Sequence, residues 1–325
     1  SLFRENTIEF KEILGKRGFT REIEARPAEE ARGLIAALNE ELQIRVEGRQ
    51  IKLYPGVSYR NVLVLKSEDY VFEREKEVGG APPHDIIGAQ IADELPREEI
   101  LRNIVLTSRE ILDEHEINVR RAAENKRKAN MVWLWSGGRK PSMPAFCDTY
   151  GVSGSVISGV YLVKGVGRCM GLDVIDVPGA TGYIDTNYAG KAEYALRSLR
   201  ERDFVLVHVE APDEAGHLGD IDLKVKAIED FDALVVGKML RGVEDEFADT
   251  GGEEGYKILV MPDHYTPVSV RTHTKEPVPF AIYDSRARSE QKKAGGFDER
   301  SASEGDSGVL DARSQELMRL FFRKS

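Results

Sequence analysis

Cysteine is nearly absent. The 325 residues hold two, Cys147 and Cys169, too few for a disulfide framework, which points to a reducing cytoplasm. Long apolar runs are missing too: nothing approaches the roughly eighteen residues of a membrane span, and no secretory signal opens the chain. Positive charge is outweighed, with 46 Lys and Arg against 56 Asp and Glu and a net charge of −10. That balance excludes general nucleic-acid binding, which demands a basic surface, while leaving room for a local basic cluster that holds a small anion. The glycines of Ser136–Pro141 and Lys164–Gly167 lack the spacing of a nucleotide-binding loop. Only two tryptophans are present, Trp133 and Trp135, and their i, i+2 spacing on an apolar run suits packing rather than ligand stacking.

The length suffices for two domains, each with its own core. Over residues 27–42, Ala31, Leu34, Ile35, Leu38 and Leu42 recur at helical spacing behind Pro27 and the acidic pair Glu29–Glu30. Residues 51–54 and 57–65 alternate as strands broken at Pro55–Gly56, and a second helical pattern covers 96–112. These elements predict a small mixed α/β unit over residues 1–126. From 127 to 325 the rhythm becomes strand then helix: strands are expected at 131–135, 155–157, 173–177, 204–209, 258–261 and 279–283. Helices are expected at 189–200 and 223–246, and a last one over 313–322. Such alternation predicts an α/β fold with a mostly parallel sheet and helices on both faces.

The most informative stretch is Phe204–His217, FVLVHVEAPDEAGH. Its unbroken apolar start fits a strand buried on both faces, and open α/β sheets place ligands beyond the carboxyl ends of such strands. If the turn continues into a helix, Asp213 and His217 stand at i and i+4 on one face, a spacing that suits two ligands of one divalent metal. A second apolar run, Lys257–Met261, ends in Pro262-Asp263-His264, and His273 follows within ten residues. Three of the six histidines therefore lie beside strand ends in the last third of the chain. Polar loop residues without function are the competing reading of that spacing.

The motifs HVEAPDEAGH, MPDH and THTKEPVPF, together with WLWSGGRKP, VISGVYLVKGVG and VPGATGYIDTNYAGKAEYAL, resemble the cofactor-independent phosphoglycerate mutases of the archaeal type. Those enzymes belong to the alkaline phosphatase superfamily. The resemblance implies an alkaline phosphatase-like core over 127–325 and an inserted substrate-binding lid over 1–126. It implies two divalent metal ions, with manganese or zinc suiting carboxylate and imidazole ligands and magnesium an alternative. Asp213, His217 and His273 match the ligands of one ion, and Asp263 and His264 match two ligands of the other. Arg60, His84, Asp85, Asn118 and Arg121 match substrate-binding positions of the inserted domain, with Lys164 a candidate on the core. The implied reaction is interconversion of 3-phosphoglycerate and 2-phosphoglycerate through a phosphoenzyme, independent of 2,3-bisphosphoglycerate, in a cytoplasmic monomer acting on a small phosphorylated substrate.

The family's nucleophilic Ser or Thr, and one further metal-binding aspartate, are expected upstream of Ser1, so residues 1–325 alone are expected to be inactive. Ser307 lies in a polar, glycine-bearing stretch and is no substitute. A related phosphatase, or a phosphotransferase acting on another small hydroxy acid or amino acid, is the alternative reaction, because core motifs do not fix the acceptor. A non-catalytic binding protein is the third reading, against which stand five intact ligand positions. His208, inside an apolar strand, and His115, at a helix end, are expected to serve the fold.

Overall fold

The computed structural model describes residues 28–45, 50–55, 61–66, 91–135, 137–138, 141–247, 255–286, 296–304, 309–310 and 315–323. The chain divides into two compact units, Ser1–Lys140 and Pro141–Ser325.

In the first unit, helix α1 (Ala28–Arg45) lays Leu34, Ile35, Leu38 and Leu42 against Ile51 and Leu53 of strand β1 (Gln50–Tyr54), which pairs antiparallel with β2 (Val62–Lys66). Each such side chain contributes about 1.5–3 kcal/mol by leaving water. β1 also needs partners for the backbone groups that face away from β2. Asn39 Oδ1 accepts the Leu53 N–H at 2.7 Å, and its amide donates to the Leu53 carbonyl at 2.9 Å. Helices α2 (Glu99–Asp113) and α3 (Glu116–Ala123) complete this core with Leu101, Ile104, Leu112 and Ile117. His115 caps α3 by accepting the Ile117 N–H at Nδ1, the fold role its position predicts.

Three expectations are corrected here. The apolar segment 131–135 is not a strand of the parallel sheet. Ala129 and Val132 pack into the α1–α2 core, and Met131 and Trp133 against Val105, so the run belongs to the first unit. Asn118 is not placed for a ligand. It is wholly buried, its amide donates to the Leu112 and Ala129 carbonyls, both at 2.7 Å, and its oxygen accepts the Ala129 N–H at 2.9 Å. Arg121 is 3% exposed, and its guanidinium donates to Glu30 at 2.7 Å and to the Arg127 carbonyl at 2.6 Å. Both residues tie α3 to its neighbours, because a buried amide or guanidinium must spend its donors where the chain offers acceptors. Arg121→Ala therefore strands the half-buried Glu30 carboxylate, which keeps only the longer contact to Arg120. The expected loss is about 2–4 kcal/mol in urea unfolding, with metal content unchanged. Arg60, His84 and Asp85 lie outside the described residues.

The second unit holds a parallel sheet in the order β4-β3-β5: β3 (Gly154–Ile157) at the centre, β4 (Asp173–Ile175) and β5 (Phe204–Val207) beside it. β3 is buried along its whole length, whereas Leu206 of β5 is 39% exposed. The strand expected to be covered on both faces is thus an edge strand among the described residues, and β3 holds the covered position. Helices α4 (Tyr161–Cys169) and α5 (Tyr188–Leu199) connect the strands, and Val156 of β3 presses against Gly167 of α4, leaving no room for a Cβ. After β5 come α6 (Ala211–Leu218), α7 (Ile221–Phe231), a π-helical turn at Asp232–Val236 and α8 (Gly237–Phe247), so the single helix expected over 223–246 is interrupted. β6 (Lys257–Val260) and β7 (Ala281–Asp284) pair antiparallel. A closing helix α9 (Glu316–Phe322) brings Phe322 onto Phe146 and Phe204.

Candidate metal centre

β5 delivers the chain to the site. Beyond Val207, the His208 N–H still donates to the Ile157 carbonyl at 2.8 Å, after which the strand ends and α6 begins. Pro212 sits in the first turn, where its missing N–H costs nothing. The helix stops at Gly219, whose φ of 72° only glycine adopts freely. That helix places Asp213 and His217 on one face with Asp213 Oδ2 3.2 Å from His217 Nε2.

The other two histidines arrive from the loop after β6. The strand ends at Val260, before Met261-Pro262, so the chain has already turned when it reaches Asp263 and His264. An antiparallel bridge between Tyr265 and Thr274, with the Thr274 N–H donating to the Tyr265 carbonyl at 3.1 Å, folds the loop back on itself. That bridge brings the rings of His264 and His273 together, tilted by 35° with centroids 3.8 Å apart.

The result is a triangle of residues in which Asp213 meets the two histidines through different oxygens. Asp213 Oδ2 to His217 Nε2 is 3.2 Å, His217 Nε2 to His273 Nε2 is 3.1 Å, and His273 Nε2 to Asp213 Oδ1 is 3.3 Å. Ligands at about 2.0–2.2 Å from a tetrahedral ion lie roughly 3.3 Å from one another. The tautomer agrees as well. His217 Nδ1 is 3.0 Å from the Arg271 carbonyl, to which it can only donate, so Nε2 carries the lone pair into the triangle. Arg271 presents that carbonyl from a φ of 59°, an uncommon conformation for a residue with a side chain. Two imidazoles and a carboxylate with donor atoms this close are the ligand chemistry of a divalent-metal site, so the donor set fits such an ion.

His264 also lies in this cluster. Asp213, His264 and His273 offer donor atoms within 4.8 Å of one another, as do Glu210, Asp213 and Glu214. His264 faces Asp213 through Nδ1 at 4.0 Å and Asp263 through Nε2 at 3.5 Å. The structure therefore brings Asp213, His217, His264 and His273 together, with Asp263 flanking them and largely exposed.

Thr266, Lys224, Ser158, Glu210, Lys191 and Asp176, which the sequence did not single out, join His208 and Lys164 near these donors. Thr266 donates its hydroxyl to Asp213 Oδ1 and offers its carbonyl to Lys224 Nζ at 2.6 Å. Burial lowers the Lys224 ammonium, and the Asp213 carboxylate works in the opposite direction. At the ends of β3 and β5, His208 joins Ser158 through Nδ1 at 3.0 Å and Glu210 through Nε2 at 3.2 Å. Lys191 of α5 reaches the same place from inside the fold, donating to the His208 carbonyl at 3.0 Å while wholly buried. Lys164 lies half-buried on α4 and pairs with Asp176, just past β4, at 2.6 Å. His208, expected as a hydrogen-bonded histidine of the strand near the site, has that place five residues ahead of Asp213. No sequence period marks these groups, and only the polar residues Ser158 and Asp176 directly after apolar runs could have signalled them.

Residues 24–321 match the model of the metalloenzyme superfamily. The chain is 49% identical over 273 residues to a 2,3-bisphosphoglycerate-independent phosphoglycerate mutase of Methanothrix thermoacetophila, covering 83% of this chain and 65% of that protein. It is 44% identical over 288 residues to the Methanosarcina acetivorans protein of the same name, covering 88% and 68%. The chain thus spans about two thirds of the length of these relatives. In fold it is similar to a Pyrococcus horikoshii protein, with a TM-score of 0.68, 24% identity and coverage of 97% of this chain and 78% of the other. A cofactor-independent phosphoglycerate mutase from Thermoplasma acidophilum gives 0.55, with 23% identity and coverage of 92% and 71%. The chain belongs to the metalloenzyme superfamily and, within it, to the family of 2,3-bisphosphoglycerate-independent phosphoglycerate mutases.

Proposed function

We propose that this protein interconverts 3-phosphoglycerate and 2-phosphoglycerate in a metal-dependent phosphoryl transfer that needs no bisphosphoglycerate. The observation that carries the reading is the triangle of Asp213, His217 and His273, with edges of 3.1–3.3 Å, in a chain whose relatives bear that activity in their names. Divalent ions, when bound, neutralise phosphate oxygens and lower the pKa of a coordinated hydroxyl.

The chain's own residues divide the remaining work. Asp213, His217 and His273 hold one ion, and Asp263 and His264 contribute to a second; manganese or zinc suits both sets. The Arg271 carbonyl fixes the His217 tautomer. Lys164, at the carboxyl edge of the sheet, binds an anionic group of the substrate in exchange for Asp176. Arg60, His84 and Asp85 are proposed as further substrate contacts. No described helix is long and apolar enough to cross a membrane, and a cytoplasmic monomer is the state we propose.

The test is formation of 2-phosphoglycerate from 3-phosphoglycerate by the full-length protein, with release of inorganic phosphate followed in parallel. Chelation should abolish turnover and added Mn²⁺ should restore it, with isomerisation well ahead of phosphate release. Metal-restored phosphate release without isomerisation would replace the mutase with a phosphatase.

A further inference from the structure

Thr266 is neither a carboxylate nor an imidazole, yet it sits beside the donors and is 3% exposed. Its hydroxyl faces two groups. It donates to Asp213 Oδ1, and it lies 3.4 Å from His264 Nδ1. A hydroxyl has one proton and two lone pairs, and an ionised carboxylate can only accept. With its proton committed to Asp213, the hydroxyl presents only lone pairs to His264. The contact is then attractive only when Nδ1 carries the imidazole proton, which leaves His264 Nε2 as the bare nitrogen. Nε2 is the atom that faces Asp263, at 3.5 Å. One hydroxyl thus occupies an oxygen of Asp213 and favours the proton on Nδ1 of His264, against the Asp263 carboxylate that favours it on Nε2.

The hydroxyl is held from two sides. The Thr266 carbonyl accepts Lys224 Nζ from α7 at 2.6 Å. Gly216 of α6 packs on the same carbonyl so closely that a Cβ there would stand 2.3 Å from it. Helix α6 therefore rests directly on the Thr266 backbone, and neither the loop nor the helix can shift without the other.

We propose that Thr266 is a positioning residue that couples the two ligand sets: Asp213 with His217 and His273 on one side, Asp263 with His264 on the other. The proposal rests on the metal-centre reading above and deepens it. By holding Asp213 Oδ1 on a hydroxyl, Thr266 orients the carboxylate with Oδ2 toward His217 and Oδ1 toward His273. By taking the Nδ1 proton, it points the ligand nitrogen of His264 toward Asp263.

The experiment needs no turnover. In metal-free protein labelled with ¹⁵N-histidine, long-range ¹H–¹⁵N correlation spectra at a pH where His264 is neutral report which ring nitrogen holds the proton. The expected result is His264 protonated on Nδ1 in the wild type and in Thr266→Ser, and a mixed or reversed tautomer in Thr266→Val. Competition titration with Zn²⁺ or Mn²⁺ should show Thr266→Val binding about 10–100-fold more weakly, the range of lost outer-shell partners, and Thr266→Ser within a few-fold of wild type. A wild-type His264 protonated on Nε2 would overturn the proposal without recourse to any variant, even if Thr266→Val failed to fold. Equal affinities and tautomers in all three proteins would overturn it too. Absence of measurable metal binding by the wild type would instead sink the metal-centre reading, while the tautomer result would stand or fall separately.

Discussion

Replacing Asp213 with alanine is expected to empty the metal centre and abolish turnover while leaving the fold intact. Asp213 is the common element of every donor group described: it faces His217 at 3.2 Å and His273 at 3.3 Å, and it lies within reach of His264. Without it His217 and His273 lose the carboxylate that faces both of them. Loss of an outer-shell partner costs about 10–100-fold in metal affinity, so loss of this directly placed ligand should exceed about 100-fold. Asp213→Asn separates charge from shape, since the amide oxygen can still accept the Thr266 hydroxyl. It should recover the local packing and little of the affinity. Metal per chain by mass spectrometry, kcat, and the far-ultraviolet circular dichroism of the metal-free protein are the measurements. Near-normal metal content and turnover in Asp213→Ala would remove this residue from the centre.

The ligand face of α6 was legible because both halves of the signal are local. An apolar run marks β5, and four residues on a helix bring Asp213 and His217 together by geometry alone. The convergence of His264 and His273 was legible only as proximity in sequence, because the Tyr265–Thr274 bridge that brings them together has no periodic signature. Thr266 was invisible for a related reason: its partner Asp213 lies 53 positions earlier, and a lone threonine in a loop carries no pattern. Arg121 shows the opposite failure. The family resemblance suggested a ligand, and Glu30, 91 positions away, gives no local sign that the guanidinium is already engaged. The misplaced 131–135 strand has a physical cause as well. An apolar segment reports that it will be buried and not which core will bury it.

Lys191 is expected to give the fold a pH dependence that runs opposite to ordinary base denaturation. It is 0% exposed, and burial pushes its ammonium down from 10.5 to about 8; the nearby Glu210 carboxylate raises it and Lys164 lowers it further. Below about pH 8 the lysine is charged in both the folded and the unfolded chain, and the folded state bears the full cost of burying it. Between about 8 and 10.5 the unfolded chain still holds that proton while the folded chain has released it, so stability rises with pH. A shift of this size corresponds to about 3 kcal/mol, fully gained once the pH passes the unfolded value. Lys191→Met removes the charge and, with it, the donor to the His208 carbonyl, which then lacks this partner at the end of β5. At neutral pH the two losses offset, because relief of a buried charge is set against an unmet backbone acceptor worth about 1–3 kcal/mol. As the pH rises only the wild type gains, and the difference in stability between the two proteins should widen by about 3 kcal/mol between pH 8 and 10.5. Urea unfolding of both metal-free proteins across that range reads the difference directly, and the titration of every other lysine and tyrosine cancels in it. Parallel stability profiles would mean that the ammonium reaches solvent in the folded protein and does not hold the strand end that feeds Asp213 into the site.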